Sequence, residues 1–205
     1  FNFSDQVKFV FVEHHLAHIS SAFFASNYDN ALGLSIDGSG DFTSLMIAEC
    51  NYKEIKIKKK VHFPDSLGIF YHAMTQFIGF RNFGDEYKMM GLASYGIPLY
   101  FDKLLDNLFI NSKNFFKLNL DFFNHHRTNF NYSHIGKKDI PDIYSGKLND
   151  LFKPDIDVST TEIFKKNFAA SVQKVYEFYF NKILKEINSN KFSENLVFAG
   201  GCALN

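Results

Sequence analysis

The sequence predicts an α/β fold: a mixed sheet that opens on an antiparallel three-strand meander and is flanked by helices. Three observations lead there. Apolar runs at 31–36 and 42–50, and an Ile/Lys alternation over 53–63, are separated by only a few residues each. Strands joined by such short connections pair antiparallel. Apolar residues then recur at helical spacing over 66–80, with Leu67, Phe70, Tyr71, Met74, Phe77 and Ile78 on one stripe, and again over 160–188. A last apolar run, 196–199, closes in Gly200-Gly201.

The elements follow in order. Residues 8–12 (Lys-Phe-Val-Phe-Val) read as a short buried strand, and 13–26 as a helix with His14-His15-Leu16-Ala17-His18 at its start. Asn27-Tyr28-Asp29-Asn30 is turn chemistry. Asp37-Gly38-Ser39-Gly40-Asp41 reads as a tight polar loop between the first two strands of the meander. Residues 82–96 form a glycine-punctuated segment, followed by a short helix near 99–109. Residues 111–157, rich in Asn, Phe and His and holding Pro141 and Pro154, read as an insertion or a small subdomain. The 160–188 helix is entered through Ser159-Thr160-Thr161-Glu162, a capping-box pattern. Its apolar face (Phe164, Phe168, Val172, Val175, Phe178, Tyr179) is expected to pack on the sheet of 31–63 and 196–199.

Composition bounds the function. The 205 residues are 46% hydrophobic and 18% aromatic, which excludes a disordered chain. Lys+Arg and Asp+Glu are both 22, so no net field draws the chain to nucleic acid or to an anionic membrane. No apolar run reaches the roughly 20 residues that span a bilayer, and no basic leader is visible. Cys50 and Cys202 are too few for a disulfide framework, which points to the reducing cytoplasm. The chain opens without Met and stops within a Gly-Gly-Cys-Ala-Leu-Asn run, and is therefore expected to be a fragment.

Four constellations carry chemistry. His14 and His18, four apart on a helix, share a face and can ligate one divalent metal; a polar helix start explains them equally well. His15 points about 100° away, toward another layer. Asp37-Gly38-Ser39-Gly40-Asp41 offers backbone N–H groups to a phosphate and a strand-end acid to a metal, with an ordinary hairpin turn as the alternative. Phe83 to Gly96 sets Asp85, Glu86 and Lys88 inside an apolar stretch, where charges need a partner or a cleft. Gly200-Gly201, at the end of a buried strand, suits a nucleotide lying on the backbone, as does a tight turn.

In this order the segments resemble the nodulation-protein-U and cephalosporin or tobramycin O-carbamoyltransferase family. The matching stretches are Glu13-His14-His15-Leu16-Ala17-His18-Ile19-Ser20-Ser21-Ala22-Phe23, Asp37-Gly38-Ser39-Gly40-Asp41, Gly84-Asp85-Glu86-Tyr87-Lys88-Met89-Met90-Gly91-Leu92-Ala93-Ser94-Tyr95-Gly96 and Gly200-Gly201-Cys202-Ala203-Leu204-Asn205. The third is the most diagnostic; Ser94 stands where the family usually has Pro. The resemblance implies an actin/Hsp70-like ATPase (ribonuclease H-like) fold, of which 1–205 is a partial carbamoyltransferase domain, mainly the second lobe. The N-terminal lobe and a C-terminal synthase-like domain are then expected outside it. It implies a carbamoyl adenylate made from carbamoyl phosphate and ATP, and transfer of its carbamoyl group to a hydroxyl of a small molecule or sugar. It assigns a divalent metal, expected to be Fe2+, to His14, His18 and Asp37. It gives Gly38, Ser39 and Gly40 to the phosphate, and Gly200, Gly201 and Asn205 to the nucleotide. His15 or Asp41 is expected as general base, and Glu86 and Lys88 are expected to line the transfer cleft.

Two other readings compete. A tRNA threonylcarbamoyl-transfer enzyme would carry a Ser-Gly-Gly-His-Thr type loop where this chain has Asp37-Gly38-Ser39-Gly40-Asp41. A nucleotide-binding actin-like lobe without transferase activity would have no use for the His14/His18 pair.

Overall fold

The computed structural model describes residues 7–127, 141–155, 161–189 and 192–205. Its centre is a four-stranded mixed sheet of β1 (Asn30–Gly40), β2 (Thr43–Asn51), β3 (Ile55–His62) and β4 (Leu196–Ala199), in the order β3-β2-β1-β4. The meander is antiparallel as expected, with Leu34 opposite Ile47 and Ala48 opposite Ile57. β4 joins parallel to β1, Leu34 beside Phe198. The carboxyl ends of β1 and β4 therefore lie side by side, where such sheets place ligands.

The period-two alternation divides the core. Leu32, Leu34, Ile36, Leu45 and Ile47 face one layer; Ala31, Met46, Ala48 and Cys50 face the other. The smaller layer lies under α1 (His14–Phe24), whose Ile19 and Phe23 are buried there. Gly33 lets α1 come close, since a Cβ there would sit 2.5 Å from Ile19 Cγ2. The larger layer is covered by α2 (Leu67–Phe77), α3 (Glu86–Ala93), α4 (Phe101–Leu108), α5 (Gly146–Phe152) and the 28-residue α6 (Thr161–Asn188). Among the described residues, no helix is long and apolar enough to cross a membrane.

Several expectations change. Residues 8–12 form no strand: Phe9, Val10, Phe11 and Val12 are exposed, Phe11 at 95%. An apolar run becomes a strand only where a neighbour takes its backbone groups, and none of the described strands runs beside it. The segment 37–40 is not a loop but the end of β1; the turn is the two residues Asp41 and Phe42, both at positive φ. Within α6, Phe164, Phe168, Val172, Val175 and Tyr179 are buried as expected, whereas Phe178 is 45% exposed beside Phe101. α6 packs mainly on α2, α3 and α4, and reaches the sheet where Phe180 meets Phe198. The described parts of 111–157 bury Phe115, Phe116, Leu118, Phe123, Ile143, Leu148 and Phe152 in the main core. The expected cap at 159–160 lies outside the described residues.

Candidate metal and transfer site

The site is built where α1 begins and β1 ends. Glu13 caps α1 by accepting from Leu16 N–H at 2.8 Å, and Asp41, in the hairpin turn, accepts from His14 N–H at 2.8 Å. Both acids complement the positive end of the helix. His14 and His18 then share a face, and their Nε2 atoms are 3.1 Å apart. Each lies against the same oxygen, Asp37 Oδ2, at 3.2 Å and 3.0 Å. Among the described residues this trio is the group whose ligand atoms gather closely enough to hold an ion, within 4.8 Å of one another.

A bulge aims Asp37. Ile36 pairs with Leu45 and Gly40 with Thr43, so three residues of β1 stand opposite the single Ser44. Extra residues in one strand bend it and turn a side chain out of the pleat. The Asp37 carboxylate is held by Gly38 N–H, which donates to Oδ1 at 2.7 Å. Burial pushes its pKa up, but the Gly38 bond and the two imidazoles outweigh this and hold it below the ordinary carboxylate value. Gly40 is required by contact: a Cβ there would stand 2.1 Å from the His14 ring. Ser66, the cap of α2, donates its hydroxyl to Asp37 O at 3.2 Å, and Gly68 lies flat on the Asp37–Gly38 backbone.

β4 brings the other wall. Gly200 has φ 93° and ψ 164°, a conformation essentially reserved for glycine, and a Cβ would meet Ile36 O at 2.3 Å. A Cβ on Gly201 would lie 3.0 Å from Asp37 Oδ1. Asn205 exchanges amide hydrogen bonds with Gln173 of α6, 2.7 and 3.3 Å. Burial pushes the Cys202 thiol up to about 12, and the carboxylates of Asp37 and Glu86 add to it.

The remaining expected residues divide. His15 is fully buried: Nδ1 pairs with Ser35 Oγ at 2.9 Å and Nε2 with Thr43 O at 2.8 Å. Both nitrogens are committed and burial lowers its pKa, so it ties α1 to the sheet and has no nitrogen left for a substrate hydroxyl. Asp41 accepts from the first N–H of α1 through Oδ2. Gly38 N–H is spent on Asp37, which removes it from the expected phosphate loop; Ser39 is exposed. Lys88 pairs with the buried Asp85 at 2.7 Å, an ion pair that raises its pKa, and Asp85 also accepts from Asn82. Glu86 turns inward to His72 Nδ1. His72, Ser66 and Tyr71, which donates to Gln173 Oε1 at 2.9 Å, carry no sequence signal for this role. Their partners lie far along the chain, and only Ser66 is readable, as a helix cap.

The profile of the family described as Carbamoyltransferase N-terminus matches residues 2–205. An uncharacterized protein of Synechocystis sp. is 34% identical over 202 residues, 98% of this chain and 31% of its own length. The nodulation protein NolNO of Sinorhizobium fredii is 42% identical over 110 residues, 50% of this chain and 16% of its length. The nodulation protein NolO of Bradyrhizobium diazoefficiens is 43% identical over 89 residues, 42% of this chain and 16% of its length. The chain spans less than a third of each of these relatives. With a match over nearly every residue, the chain belongs to the carbamoyltransferase N-terminus family.

Proposed function

We propose that this chain is the metal-holding part of an enzyme that moves a carbamoyl group from a carbamoyl adenylate to a hydroxyl of a small molecule or sugar. The adenylate would be made from carbamoyl phosphate and ATP elsewhere in the full-length protein. One observation supports this above others: His14, His18 and Asp37 converge at the carboxyl ends of β1 and β4, in a chain of this family. The meander followed by a strand parallel to β1 is also the arrangement expected of an actin-like ATPase lobe, the fold we take the full protein to have. The two cysteines are free, which suits the cytoplasm.

The donor set fits a divalent metal. Three atoms ligating one ion at about 2.1 Å lie about 3.0 Å apart in adjacent octahedral positions, and about 3.4 Å apart in tetrahedral ones. The three edges here are 3.1, 3.2 and 3.0 Å. Two imidazoles and one carboxylate on a common face, with further positions open, are the ligand type of non-haem Fe2+. A bound ion would supply a Lewis acid for the oxyanion charge of carbamoyl transfer.

The chain's own residues do the rest. Asp41 holds the His14 backbone N–H, Gly40 leaves room for the His14 ring, and the bulge and Gly38 fix Asp37, so the ligands are set before any ion arrives. Ser39 is exposed, and the bare backbone of Gly200-Gly201 lies against Ile36 and Asp37, where an adenylate would approach.

The test uses the full-length protein with labelled carbamoyl phosphate, ATP and hydroxylamine as a trapping nucleophile. Hydroxyurea should form, and Asp37→Ala should lower its rate about a hundredfold or more while pyrophosphate release from ATP persists. Wild-type protein that forms no hydroxyurea, or an Asp37→Ala variant with full transfer, contradicts the reading.

A further inference from the structure

A second polar cluster lies on α2, one turn beyond the glycine that packs on the Asp37 backbone. Gly68 packs on the backbone of Asp37 and Gly38; a Cβ there would be 2.8 Å from Gly38 N. His72 is four residues further, on the same helix face and about 6 Å along the axis. Its Nδ1 meets Oε1 of Glu86, the first residue of α3. The helix that carries His72 therefore packs on the end of β1 at Asp37 and also touches the Gly201–Leu204 turn.

The carboxylate decides the ring's tautomer. Burial pulls the Glu86 pKa up, but the His72 contact outweighs it and holds the group below its ordinary value. An ionised carboxylate only accepts, so Nδ1 carries the hydrogen and donates it. In the ring's neutral form the lone pair is then on Nε2, and no hydrogen bond among the described residues engages that nitrogen. His72 is sheltered, its side chain 14% exposed. Beside it, with ring centroids 6.2 Å apart, is Phe83, which is 81% exposed. A bare aromatic ring next to a proton acceptor suits a ligand with both an apolar face and hydroxyls.

Resting on the carbamoyl-transfer reading, we propose that His72 Nε2 takes the proton of the acceptor hydroxyl, that Glu86 positions it, and that Phe83 receives the C–H face of a sugar-like acceptor. In that step the hydroxyl oxygen bonds to the carbamoyl carbon. The bond from that carbon to the adenylate phosphate oxygen breaks, and AMP leaves with the electron pair. The hydroxyl proton passes to Nε2 and from there to solvent. His72 thereby replaces His15 and Asp41 in the role expected from sequence.

Two probes separate this step from the rest. Hydroxylamine attacks through an amine that need not lose a proton first, whereas methyl glucoside attacks through a hydroxyl that must. In the full-length protein supplied with carbamoyl phosphate and ATP, His72→Gln and Glu86→Gln should depress transfer to methyl glucoside about tenfold more than transfer to hydroxylamine. Phe83→Ala should raise KM for methyl glucoside with kcat little changed. Nitrogen-15 NMR should place the neutral His72 proton on Nδ1, and Glu86→Ala should release that preference. Equal losses with both probes, or a neutral His72 protonated on Nε2, overturn the proposal. Hydroxyurea formed while methyl glucoside is untouched overturns the sugar-like acceptor. Wild-type protein that forms no hydroxyurea contradicts the transfer reading itself.

Discussion

Gly40 and His125 show how single residues set the behaviour of this chain. A methyl group at Gly40 would stand within the His14 ring, whose backbone N–H is held by Asp41, so the ring would have to swing away from Asp37. With that clash, Gly40→Ala should displace a ligand and weaken metal affinity about tenfold or more, at a stability cost of about 1–3 kcal/mol. Metal titration paired with denaturant unfolding checks both. His125 is buried, its Nε2 donates to Pro64 O at 2.9 Å, and burial lowers its pKa below 6.5. The unfolded chain then binds more protons than the folded one as pH falls through that range. The stability this neutral ring confers is complete above about pH 6.5 and is lost toward the depressed folded pKa. Melting temperature should fall between pH 7 and 5, and His125→Gln should flatten the fall.

At the scale of elements, α6 divides its aromatic residues by depth. Phe168 is fully buried, with Phe77, Phe152 and Phe164 rings within 5.6 Å of its centroid, whereas Phe178 is 45% exposed. Phe168→Ala should cost about 3–5 kcal/mol, and Phe178→Ala much less, as read by denaturant midpoints. A sequence shows both at helical spacing and cannot separate them, because the exposure of Phe178 depends on how it meets Phe101 of α4. The meander, α1, α2 and α6 were legible because period-two and period-3.6 patterns are local. Residues 8–12 misled for the opposite reason, since an apolar pentapeptide carries no information about its sheet neighbour. His14 and His18 were legible as a pair through their spacing, and His15 as pointing elsewhere. The bulge that turns Asp37 toward them, and the contact of His72 with Glu86 fourteen residues on, depend on β1–β2 register and on α2–α3 packing.

For the whole molecule, the parallel pairing of β4 with β1 is the decisive feature, because it joins residues from both ends of the chain at one sheet edge. Asp37 arrives from β1, the glycine turn from β4, and the two histidines from a helix on the opposite face of the sheet to α2. The central claim is that this convergence holds one divalent metal. Anaerobic calorimetric titration of the full-length protein with Fe2+ tests it most directly. One equivalent should bind to the wild type, and His14→Ala or His18→Ala, each folded by circular dichroism, should lose at least about tenfold in affinity. Folded variants that bind Fe2+ with wild-type stoichiometry and affinity would contradict it.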